Sequence, residues 1–151
     1  MNTVDRGSGA VRPRILCVDD DRRIGAVVEA ALRDAGYAVS CLHDFTDETL
    51  RRAIGQTEPD CILLDSSTAA DYERSWHAAA WIRQQPRSIP VVMFSAHLAE
   101  LREAQERLTE RARLAAVAAV LLKPFLMNEL IEAVGCTVLR PSTLPGAQSH
   151  A

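Results

Sequence analysis

The sequence predicts an α/β fold, a single domain built on one five-stranded parallel sheet with helices on both faces. Three observations lead there. Five short apolar runs alternate with longer stretches in which apolar residues recur at helical spacing. The run "CILL" inside "DCILLD" at 60–65 has no polar interruption, as expected of a strand covered on both faces. The chain's 151 residues suit one domain whose core needs neither disulfides nor structural metal.

In order, "RILCV" at 14–18 is the first strand, and "DRRIGAVVEAALRDAG" follows with Ile24, Val27, Val28, Ala31, Leu32 and Ala35 at helical spacing and Gly36 as a stop. Asp21 stands where it can cap that helix. "YAVSC" at 37–41 is the second strand, and "FTDETLRRAIG" a short amphipathic helix through Leu50, Ala53 and Ile54. After the third strand, "DCILLD", comes a helix around "YERSWHAAAWIRQQ". Its Trp76 and Trp81 lie five positions apart and cannot share one stripe, which predicts one in the core and one partly exposed. "IPVVMF" at 89–94 is the fourth strand, followed by a long helix over 98–115, the fifth strand "AAVLL" at 118–122 and a last helix over about 126–134.

Within the long helix Leu101, Leu108 and Ala115 recur by sevens, and Glu103 and Arg107 are spaced for an i,i+4 pair on its outer side. The plain reading is one apolar stripe against the sheet; the sharper one is a partner or homodimer surface. The ends, 1–13 and 140–151, are small, polar and proline-containing, so they read as flexible extensions of a domain over 14–139.

Composition narrows the function classes. A net charge of −3 offers no basic surface for nucleic acid. No apolar run approaches the roughly 20 residues that span a bilayer, and "MNTVDRGSGAVRPR" lacks the apolar centre of a secretion signal. A cytoplasmic protein without membrane or nucleic-acid contact is expected. Cys17, Cys41, Cys61 and Cys136 form no C-x-x-C pair and read as buried reduced thiols.

Open α/β sheets bind ligands beyond the carboxyl ends of their strands, where the strand order reverses. In the flavodoxin-like order 2-1-3-4-5, strands one and three are neighbours there. Asp19 and Asp20 end strand one, Asp65 strand three, Ser95 strand four and Lys123 strand five. Three converging carboxylates call for a hard divalent cation, and Mg²⁺ takes oxygen ligands with no need of histidine or thiolate. Asp65 could then act as a nucleophile, since a carboxylate accepts a phosphoryl group as an acyl phosphate. Ser95 and Lys123 would hold the phosphoryl oxygens.

With "ILCVDDD", "PDCILLD", "PVVMFSA" and "LLKPF" in this order, each at a strand end, the chain resembles the receiver domain of two-component response regulators over about 14–134. The resemblance implies that Asp65 is the phosphoacceptor, and that Asp19, Asp20 and the backbone carbonyl of Ser67 join it in holding Mg²⁺. It makes Ser95 the hydroxyl of the motif and Lys123 the phosphate-binding lysine, with a cis bond to Pro124. It further implies a stand-alone receiver with no output domain. Such a receiver is phosphorylated by a histidine kinase or histidine phosphotransfer protein. It changes the face of its fourth and fifth helices and signals to a protein target. It is no enzyme beyond its own phosphotransfer and dephosphorylation.

Several positions depart from the family pattern. "DSSTAADYERS" lacks the usual methionine-proline pair and glycine-rich turn after the acceptor. Ser67 and His97 hold positions that tune self-hydrolysis in the family; His97 either orients an attacking water or is an exposed loop histidine. Val120 stands at the aromatic switch position. Ser95 and Lys123 are 123 − 95 = 28 positions apart, more than the family spends, and Ala116 replaces a glycine, which predicts a different turn into strand five. One rival reading is a pseudo-receiver, a phosphorylation-independent interaction module. Another, an aspartyl-phosphate phosphatase of the haloacid-dehalogenase type, needs an Asp-x-Asp followed by threonine or valine, and Arg23 stands there instead.

Overall fold

The computed structural model describes residues 12–44, 46–65 and 72–139. The extensions expected at 1–13 and 140–151 lie outside the described residues, Arg12 and Pro13 excepted. The elements are β1 Arg14–Val18, α1 Arg22–Asp34, β2 Ala38–Leu42, α2 Asp47–Thr57, β3 Cys61–Asp65, α3 Tyr72–Gln84, β4 Val91–Ser95, α4 Leu98–Glu106, α5 Glu110–Ala115, β5 Ala119–Leu122 and α6 Met127–Leu139. The strands pair in parallel in the predicted order β2-β1-β3-β4-β5. No helix among the described residues is long and apolar enough to cross a membrane.

The two-residue period of the strands divides the core in two. Leu16, Val18, Ile62, Leu64, Val91 and Met93 face one side, where Leu50, Trp76, Ile82, Ala104 and Ala112 from α2, α3, α4 and α5 cover them. Ile15, Cys17, Cys61, Leu63, Val92 and Phe94 face the other, under Val28 and Leu32 of α1 and Leu130 and Val134 of α6. Burying each large apolar side chain contributes about 1.5–3 kcal/mol. That is what holds the strand ends in fixed register and gives the residues beyond them a rigid base. Cys17 and Cys61 are buried as expected, but Cys41 is half-buried and Cys136 exposed on α6; all four are free thiols.

Asp21 caps α1, its carboxylate accepting the backbone N–H groups of Arg23 at 2.9 Å and Ile24 at 3.3 Å. Asp21→Ala is expected to cost about 1 kcal/mol, read as a lower urea midpoint with an unchanged slope; an unchanged midpoint would count against the cap. Gly36 follows α1 at φ 101°, a conformation that needs a glycine.

The long helix expected over 98–115 is two helices. Arg107 takes a left-handed conformation (φ 51°) that ends α4, and Thr109 begins α5 by accepting the N–H of Ala112. Glu103 does not pair with Arg107. Its carboxylate instead accepts the Thr109 hydroxyl at 2.5 Å and the Arg111 guanidinium at 2.6 and 2.9 Å, which fixes the corner. The recurrence by sevens dissolves there, since Leu108 lies in the break and is exposed. Ala116 ends α5 at φ 42°, so the alanine itself takes the left-handed turn that glycine favours. The last helix runs five residues past Val134, because Leu130, Val134 and Val138 continue its stripe against the sheet. Trp76 is buried and Trp81 partly exposed, with Arg51 stacked 5.1 Å from the Trp81 ring.

Candidate functional site

Four strand ends converge on one cleft. Asp19 follows β1, and its backbone N–H donates to the Leu42 carbonyl of β2 at 3.1 Å. Its own carbonyl lies 2.9 Å from Nδ1 of His43, which donates there. Asp65 is the last residue of β3, and its carbonyl accepts the Ser75 hydroxyl of α3 at 3.0 Å. Lys123 follows β5, where its N–H donates to the Ser95 carbonyl at the end of β4 at 2.7 Å. The Lys123–Pro124 peptide is cis. The lysine Nζ lies 3.1 Å from Oδ1 of Asp65, and both side chains are mostly covered, 21% and 6% exposed.

Oxygen atoms of Asp19, Asp20 and Asp65 all lie within 4.8 Å of one another. Two like charges at that separation repel by about 3 kcal/mol at an effective dielectric of 20. Burial pushes the Asp19 carboxyl up to about 6, against an ordinary 3.8, and the neighbouring Asp65 adds to the rise. The Asp21 amide, donating to Oδ1 of Asp19 at 2.9 Å, and the Lys123 charge pull the other way. The second oxygen, Oδ2, is buried without a hydrogen-bond partner. An orphaned carboxylate oxygen among two further carboxylates, with no sulfur or nitrogen ligand in the group, fits a hard divalent cation such as Mg²⁺. Asp19, Asp20 and Asp65 would hold it. The further ligand expected from Ser67 lies outside the described residues.

Ser95 is fully buried. Its hydroxyl donates to Oε1 of Glu100 and accepts the His97 N–H at 3.0 Å. His97 is exposed at the start of α4, where its imidazole makes no cap hydrogen bond. Val120 is a buried aliphatic in the core beneath α2 to α5. Sequence reasoning brought the three acids, the serine and the lysine to one end of the sheet but missed Glu100. This acid is 1% exposed and also accepts the Trp76 indole N–H at 2.6 Å. Its sequence position, in the first turn of a helix, gives no sign of burial.

Comparison with known proteins agrees with this geometry. The profile of the response regulator receiver domain matches residues 15–135. The transcriptional regulatory protein PrrA of Mycobacterium leprae is 33% identical over 137 residues, covering 88% of this chain and 53% of the relative. PrrA of Mycobacterium tuberculosis is 31% identical over 147 residues, covering 95% and 57%. The chain thus spans about half the length of these curated relatives. Among solved structures, a response regulator from Thermotoga maritima superposes with a TM-score of 0.69 at 21% identity, over 86% of this chain and all of that one. The chemotaxis protein CheY4 of Vibrio cholerae gives 0.69 at 19%, over 84% and 99%. With its sheet order, its acidic cleft and a profile match over 15–135, the chain belongs to the receiver domain family of response regulators in two-component signalling.

Proposed function

We propose that this chain is a cytoplasmic phosphoacceptor that takes a phosphoryl group onto Asp65 from a histidine kinase or histidine phosphotransfer protein and signals by protein contact. The observation that carries the reading is the carboxylate cluster with the Lys123 ammonium 3.1 Å from Asp65. A carboxylate oxygen of Asp65 attacks the phosphorus of the donor phosphohistidine, the N–P bond breaks, and the imidazole leaves with a proton from solvent. Lys123 turns from the Asp65 carboxylate to the transferred phosphoryl oxygens, keeping an ion pair throughout. The Ser95 hydroxyl donates to a second of those oxygens. Asp19 and Asp20 position Mg²⁺, which supplies charge neutralisation for the incoming phosphoryl group. Catalysis is here a matter of placing charge, and the rigid strand ends provide the placement.

Intact mass after incubation with a small-molecule phosphodonor tests the reading. One added phosphoryl group is expected with Mg²⁺ and none without it. Asp65→Ala is expected to take up none while keeping a cooperative unfolding transition. Wild-type protein that binds Mg²⁺ and stays unmodified at all times would instead make the domain an interaction module independent of phosphorylation.

A further inference from the structure

Ser95, Glu100 and Trp76 form a buried chain leading from the cleft into the helices. A serine hydroxyl has one proton to donate, and that of Ser95 goes to Oε1 of Glu100. The other oxygen, Oε2, takes the Trp76 indole N–H. All three residues are at most 2% exposed, so water is not at hand to replace a lost partner. Arg111 of α5 stacks 4.7 Å from the Trp76 ring and binds Glu103 of α4 and Glu73 of α3 through its guanidinium. The Ser95 proton is therefore contested between Glu100, with the His97 carbonyl at 3.3 Å as a longer second acceptor, and a phosphoryl oxygen on Asp65.

We infer that Glu100 is a positioning residue, holding the Ser95 hydroxyl away from the phosphoryl site until transfer and passing its release to Trp76 and the α3–α4–α5 corner. The inference rests on the phosphoacceptor reading above. When the hydroxyl turns to the phosphoryl group, the Glu100 carboxylate loses a donor in a place without solvent. That loss favours a shift of Glu100 within its pocket or a movement of α4, which begins three residues after Ser95. Either movement changes the hydrogen bond at Trp76 and the ring against which Arg111 rests. A signal built at the acidic cleft thus reaches a surface of charged residues, Glu73, Glu103 and Arg111, through three buried side chains.

Trp81→Phe leaves Trp76 as the single tryptophan, since the chain has two, and Trp76 emission and intact mass can be followed in the same samples. With Mg²⁺ and acetyl phosphate, the emission of the Trp81→Phe protein is expected to change in proportion to the phosphoryl adduct. Adding Glu100→Gln keeps the side-chain size and removes the charge. A hydrogen bond to a neutral acceptor is weaker than one to a carboxylate by roughly 1 kcal/mol, so adduct should form about fivefold faster. The emission change per mole of adduct is expected to fall by more than half. A purely structural role for Glu100 would not speed phosphorylation.

Adduct formation with constant Trp76 emission would overturn the inference and leave the phosphoacceptor reading intact. So would a Glu100→Gln variant with unaltered rate and emission change. Absence of adduct from the Trp81→Phe and wild-type proteins alike would remove both. If Glu100→Gln fails to fold, Ser95→Ala in the Trp81→Phe background decides. An emission change per mole of adduct equal to that of the parent overturns the inference, and its loss supports it.

Discussion

Asp19→Asn is expected to make the metal-free protein more stable than wild type above pH 6, by about 3 kcal/mol, and to remove its stabilisation by Mg²⁺. The folded-state carboxyl of Asp19 sits at about 6, against 3.8 for the ordinary group. The folded protein therefore holds this proton more tightly than the unfolded chain does. The stability gained from that proton is fully present below about pH 4 and is lost as pH rises through 6. Asparagine carries no charge at any of these values. Its carbonyl can still accept the Asp21 amide, and its amide can donate to Asp65. Other carboxylates have their own slopes, including Glu103, which the Arg111 guanidinium holds below the usual range. The discriminating quantity is thus the difference between the two melting curves at each pH, expected to open between pH 4 and 6 and to reach on the order of 10 °C. Adding Mg²⁺ should close the difference from the wild-type side only. Parallel curves across that range would show that burial does not strain the Asp19 charge.

Trp76→Ala is expected to lower stability by about 4 kcal/mol, a large share of the 5–15 kcal/mol typical of a domain. Trp76 is the largest of the fully buried side chains. Its removal leaves a cavity in the core on the α2 to α5 side of the sheet. It also takes a donor from Glu100 and the aromatic face from Arg111. Trp76→Phe keeps much of the volume and loses the N–H, so it separates the two contributions. The phenylalanine variant should lose about 1–3 kcal/mol. Urea unfolding followed by circular dichroism reads both values. A loss under 1 kcal/mol for the alanine variant would mean that the helices collapse onto the gap.

Strand ends were legible because they are where an open α/β sheet must place its chemistry, and the apolar runs mark them to within a residue or two. Asp19, Asp20, Asp65, Ser95 and Lys123 could be brought together on that basis alone. Local spacing carries no such rule for helix interruptions. From Leu98 to Ala115 the apolar residues keep helical period straight through Arg107, and the corner exists because Glu103 finds Thr109 and Arg111 in space. The start signal was present as Thr109 followed by Glu110, hidden inside a stretch that reads as continuous. Glu100 was illegible for a similar reason. A glutamate in the first turn of a helix usually faces water and favours the helix dipole. Only the tertiary meeting of α3 with α4 turns it inward, onto Ser95 and Trp76.

Asp19 and Asp65 are 65 − 19 = 46 positions apart and meet only because β1 and β3 pair at the centre of the sheet. In the unfolded chain their repulsion is absent; it arises in one event, when those strands join. Screening of that repulsion by salt acts on whichever rate crosses the event. In the metal-free domain, a folding rate that rises with ionic strength places the β1–β3 pairing before the transition state. An unfolding rate that falls instead places it after.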